Sequence, residues 1–67
     1  MNKTAKKTIE AVITAYGGVK AVQERFNYGS PMAVYNWRAR GIPRHLLLDI
    51  FLDTGIDPHA LQKAGAE

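Results

Sequence analysis

The chain has 67 residues, no cysteine and a formal net charge of +3, which excludes a second domain, a disulfide framework and zinc-finger or thiolate chemistry. With 46% hydrophobic and 22% charged residues it reads as one small globular domain rather than a disordered segment. Residues 1–19 are net +2, residues 20–45 net +4 (Lys20, Arg25, Arg38, Arg40 and Arg44 against Glu24) and residues 46–67 net −3, a polarity that suits a polyanionic partner on one face.

The basic start, with Lys3, Lys6 and Lys7, is followed by Thr8, Glu10 and Thr14 rather than an unbroken apolar run. The segment is therefore read as neither a signal peptide nor a membrane span. A first helix is predicted over Thr4–Tyr16, because Ile9, Val12, Ile13 and Tyr16 fall at i, i+3, i+4 and i+7. Gly17-Gly18 ends it. Val19, Val22 and Phe26 repeat the spacing over a second helix, Val19–Phe26, and Asn27-Tyr28-Gly29 reads as a turn. Ser30-Pro31 then marks a third helix, with Ser as cap and Pro in the first turn. Gly41 ends it and Ile42-Pro43 opens a fourth, Pro43–Thr54, closed near Gly55. Asp57-Pro58 starts a short fifth helix, Pro58–Ala64, and Gly65-Ala66-Glu67 is expected to fray.

The fourth helix is apolar on two sides. Leu46, Leu47 and Ile50 share one face with Phe51 at its edge, whereas Leu48 and Leu52 point away, beside Asp49 and Asp53. Two apolar sides need two covers. One is the body of the domain; the other is the fifth helix through Leu61, a second subunit, or both. A domain this small buries only about 60% of the surface of its unfolded chain, so self-association is an expected source of stability. Leu48, Phe51, Leu52 and Leu61 form the expected dimer interface.

On the third helix, Ala33, Val34 and Trp37 make the inner arc. Met32, Tyr35, Asn36 and Ala39 make the outer arc, with Pro31 at its start and Arg38 and Arg40 on its flanks. A merely solvated face would favour Glu, Lys and Gln. This one suits the DNA major groove, since Asn can pair with adenine N6 and N7, Met can meet a thymine methyl and Arg can hold phosphate. The Ser30 end adds backbone amides for a phosphate. An exposed Met and Tyr equally fit a protein partner, so the helix taken alone leaves both readings open.

The stretch from Lys20 to Arg38, KAVQERFNYGSPMAVYNWR, resembles the helix-turn-helix of Cro proteins from lambdoid phages and prophages. The likeness extends to Gly41-Ile42-Pro43 and the apolar helix after it, covering about residues 8–55. Val22, Phe26, Tyr28, Val34 and Trp37 match the motif's apolar positions if the turn is one residue longer, with Gly29 as the extra residue. Gln23 replaces the usual small residue and Asn27 the usual Gly. The resemblance implies an all-α, lambda-repressor-like domain of four to five helices, with the motif at about Gly18 to Arg40 and a C-terminal region at about 43–64. The family also has an α+β form with a C-terminal β-hairpin. It further implies a dimeric, operator-binding repressor in a bacterial cytoplasm. Its groove-facing set becomes Ser30, Pro31, Met32, Tyr35 and Asn36, with Arg38 open between a guanine and a phosphate. Phosphate contacts fall to Lys20, Arg38, Arg40 and Arg44, with Arg25 and the Lys3, Lys6 and Lys7 arm as weaker candidates.

Two alternatives are a protein-interaction module and an architectural DNA-binding protein. His45 and His59 lack partners at metal-ligand spacing. Ser30 has no His–acid pair, and Asp49 with Asp53 reads as a solvated acidic face. No enzyme, cofactor, metal, small-molecule substrate or membrane partner is expected.

Overall fold

The computed structural model describes residues 3–66, with side chains from residue 5 onward. It is all-α. Five helices follow one another: α1 (Lys3–Tyr16), α2 (Val19–Arg25), α3 (Met32–Arg40), α4 (Leu47–Thr54) and α5 (Pro58–Ala64). Among the described residues there is no strand, and the C-terminal half is helical rather than a β-hairpin.

α1 is the central element, and each of the other four helices packs on it. Its inward stripe is the predicted one, with Ile9, Val12 and Ile13 buried and Tyr16 half-buried, extended backward by Ala5 and Thr8. Val22, Val34, Trp37, Ile42, Ile50, Leu61 and Ala64 close over that stripe. Gly17 and Gly18 at φ 110° and 118° adopt the left-handed side of backbone space that α1 needs to turn into α2.

Three expectations are corrected at the C-terminal side. The fourth helix does not run as one piece from Pro43. Pro43 is extended (φ −53°, ψ 130°), and a single 3-10 turn, Arg44–Leu46, precedes α4. Gly65 and Ala66 are not frayed; Glu67 lies outside the described residues. The Ile42 N–H donates to the Ala64 carbonyl at 3.0 Å, and the Ala66 N–H donates to the Ile42 carbonyl at 2.8 Å. This clips the tail beside the start of the α4 segment. Gly41 is needed there twice over: its φ is 97°, and a Cβ on it would come within 2.8 Å of the Ala66 nitrogen.

Leu61 is the third correction. It is 1% exposed and belongs to the core, because α5 lies mainly against α1 and only secondarily against α4. Leu48 and Leu52 remain 66% and 70% exposed. Leu61 therefore drops out of the exposed dimer set, while Leu48, Phe51 and Leu52 stay outside. α5 covers one flank of α4 and leaves the other open. Between the two helices lies a shallow apolar groove of about 190 Å³ whose walls include Leu47, Leu48, Phe51 and Pro58, with Leu61 in its lining.

Candidate nucleic-acid interface

α2, the turn and α3 are held together by aromatic rings. Phe26, just past the end of α2, meets Tyr16 edge-on at 5.7 Å and Trp37 at 5.8 Å. Tyr28, in the turn, lies 6.2 Å from Phe26 and 6.5 Å from Trp37. Such pairs add about 0.5–1.5 kcal/mol each beyond the area they bury, so the angle between α2 and α3 is set by packing rather than by the loop alone. The loop's special residue is Asn27, at φ 56°. Gly29 does not adopt a positive φ, and a Cβ there would meet nothing. Asn27 thus supplies the left-handed residue of the turn.

α3 begins at Met32, with Pro31 already in helical angles. Pro31 rather than Ser30 stands at the cap position; the Ser30 Oγ accepts from the Met32 N–H at 3.2 Å just ahead of it. The Pro31 carbonyl accepts from the Val34 and Tyr35 N–H groups at 3.0 and 3.1 Å. The amides expected to await a phosphate are therefore mostly engaged within the chain. Gly41 closes the helix by donating to the Trp37 carbonyl at 2.9 Å.

The two arcs of α3 separate as the helical wheel predicts. Val34 and Trp37 are buried and Ala33 is half-buried, whereas Met32, Tyr35, Asn36 and Ala39 are exposed together with Ser30 and Pro31. Met32 is 59% and Tyr35 43% exposed. Helical spacing puts Asn36 between Met32 and Arg40 on this surface. The Trp37 indole N–H is buried without an acceptor among the described residues.

The cations divide into two groups. Arg25 donates through Nε to Asp53 at 2.8 Å and stacks over Phe26 at 4.9 Å. Arg38 donates to both carboxylate oxygens of Glu10, through Nε at 2.6 Å and Nη2 at 3.0 Å. Lys20 in the first turn of α2, Arg40 at the end of α3 and Arg44 in the 3-10 turn are exposed, and no carboxylate pairs with them among the described residues. Lys6 and Lys7 are exposed on α1; the side chain of Lys3 lies outside the described residues. Between Glu24 and Asp49 the chain has no acidic residue.

Asp53 is not the merely solvated carboxylate expected. Its Oδ2 accepts from the Tyr16 hydroxyl at 2.6 Å as well as from Arg25, joining α1, α2 and α4. The Tyr16 hydrogen bond and then the Arg25 guanidinium hold the Asp53 carboxyl below its ordinary range. Burial and the adjacent carboxylate push the Tyr16 phenol well above its own. Neither these ion pairs nor the clip at Ile42 has a local sequence signal, because their partners lie on different elements.

Among the described residues no three His, Cys, Asp or Glu side chains gather as metal ligands, and no helix is long and apolar enough to cross a membrane. No protein-family model, curated protein or solved structure matches the chain.

Proposed function

We propose that the chain is a sequence-specific DNA-binding regulator that lays the outer face of α3 in the major groove, and that it acts as a repressor of the Cro kind in a bacterial cytoplasm. The observation that carries this reading is the composition of that face. Met32, Tyr35 and Asn36 are exposed side by side on a helix whose opposite side is anchored by Val34 and Trp37. A rigid helix carrying a bidentate amide, an apolar tip and a phenol has the groups that distinguish base pairs in the major groove. Arg40, Lys20 and Arg44 supply charge for the phosphates, which position a protein without specifying sequence. The rings of Phe26, Tyr28 and Trp37 close the elbow between α2 and α3 across the longer turn, which supports the reading.

The acidic, apolar outer side of α4 is the face by which two copies join. Two α3 helices then enter successive major grooves about 34 Å apart. Selection of bound duplexes from a random pool, followed by titration of selected and random DNA at several salt concentrations, tests the reading. A regulator enriches one site, often a palindrome, and prefers it to random DNA at every salt concentration. Equal binding to both indicates an architectural protein, and no binding at low salt rejects DNA as the partner.

A further inference from the structure

Arg25 and Arg38 are both paired, but in different ways. Arg25 uses one nitrogen, shares its carboxylate with Tyr16 and lies over the Phe26 ring; it is part of the packing. Arg38 is gripped along one edge by both oxygens of Glu10 and stays 42% exposed at the side chain, with Glu10 at 53%. An ion pair so open to water contributes little to stability. Its two parallel hydrogen bonds nevertheless give the guanidinium a preferred orientation.

A guanidinium carries five N–H donors in one plane. Glu10 takes the Nε hydrogen and one on Nη2. The adjacent edge, formed by one Nη1 hydrogen and the second Nη2 hydrogen, keeps two parallel donors. Arg38 follows Tyr35 by one helical turn, and its guanidinium carbon lies 6.0 Å from that exposed ring. The fork is therefore held at the border of the outer face of α3, on the side nearest α1.

We propose that Glu10 is a positioning residue for sequence reading, holding the Arg38 fork so that it donates to O6 and N7 of a guanine at the edge of the α3 footprint. This rests on the DNA reading of α3 and names the base that one further side chain would read. Guanine is preferred to phosphate on electrostatic grounds. A phosphate is attracted by net positive charge, which Glu10 reduces here to the single charge of the neighbouring Lys6, and it would be repelled by the carboxylate. A guanine edge is uncharged and requires two aligned donors, which an oriented guanidinium retains.

The test uses a selected duplex in which each guanine in turn is replaced by 7-deazaguanine, which removes only the N7 acceptor. One replacement is expected to weaken the wild-type protein roughly tenfold, to have no effect on Arg38→Ala and to have a reduced effect on Glu10→Gln. Glu10→Gln should also show a smaller ratio of selected-site to random-DNA affinity, with its helical circular dichroism and melting temperature close to wild type. A selected site with no guanine whose replacement matters in an Arg38-dependent way overturns the proposal. So does a Glu10→Gln protein that binds all duplexes more tightly with the guanine effect intact, since the carboxylate would then only compete with DNA. A lower melting temperature with the guanine effect intact reduces the pair to a clasp between helices and likewise overturns it. If the wild type fails to distinguish selected from random DNA, the reading of α3 itself falls, which is a separate result.

Discussion

Two helices of this domain turn large apolar side chains outward. On α3 they are Met32 and Tyr35, set among Asn36, Arg38 and Arg40; on α4 they are Leu48, Phe51 and Leu52, set among Asp49 and Asp53. Each helix is anchored from behind by a fully buried residue, Trp37 in one case and Ile50 in the other. The difference lies in the groups between the apolar ones. The α3 face has directional donors and acceptors and a basic border, so it can distinguish hydrogen-bonding patterns on a polyanion. The α4 face offers hydrocarbon beside Asp49 and an Asp53 already paired with Arg25 and Tyr16, so it gains most from a second apolar surface. Exposed apolar area by itself does not identify a partner; the polar side chains interleaved with it do.

The comparison breaks most severely if the anchor behind one face is removed. Trp37→Ala should cost about 3–5 kcal/mol, most of the roughly 3–10 kcal/mol available to a chain of this length. Loss of helical circular dichroism near room temperature would register it, with both faces lost together. Next in size is the separation of the two functions. Leu52→Asp should leave the fold intact and remove self-association in sedimentation runs across a concentration range. It should weaken binding to a duplex with two half-sites by about a hundredfold, with a single half-site bound as before. Unchanged sedimentation would mean that the open side of α4 serves some other partner.

Within the α3 face, Asn36→Ala should cost about 1–3 kcal/mol at the selected site and relax preference at one base pair. Arg40→Ala should weaken all sequences alike and lower the salt slope by about one unit. Competition titrations over a salt series separate the two. Equal loss on all sequences for Asn36→Ala would move base reading to other residues.

The smallest effect concerns how α4 is pinned to the rest. The folded Asp53 carboxyl titrates below its unfolded value of about 3.9, because Tyr16 and Arg25 hydrogen-bond its charged form. Its contribution to stability is therefore complete above that value and is lost as pH falls through the lower, folded one. Melting temperature followed from pH 7 to pH 3 should drop less steeply for Asp53→Asn than for wild type. Equal slopes would show that the contact adds nothing in solution.

Much of this was legible in the sequence for local reasons. Ser30, Pro31, Asp57 and Pro58 mark helix starts by capping chemistry, and the glycines at 17, 18, 41 and 55 mark the ends through positive φ. The outer arc of α3 followed from 3.6-residue spacing alone. What the sequence did not reveal is long-range. Glu10 with Arg38 and Arg25 with Asp53 are each 28 residues apart, and exposed charges leave no trace of whom they meet. Leu61 was ambiguous because a periodic pattern says that a residue is covered, not by what. The docking of Ala64 to Ala66 beside Ile42 was hidden because small residues at a chain end resemble a frayed tail. For the candidate site, position on the helix was readable and the state of each cation was not.

On the proposed function, α3 and not α4 is the surface that meets DNA. Amide chemical shifts of isotope-labelled protein, followed as a selected duplex is added, address it residue by residue. The largest changes are expected from Ser30 to Arg40, lesser ones at Lys20 and Arg44, and little change at Leu48 and Leu52 beyond what self-association alone produces. Changes confined to α4, or none anywhere at low salt, would contradict it.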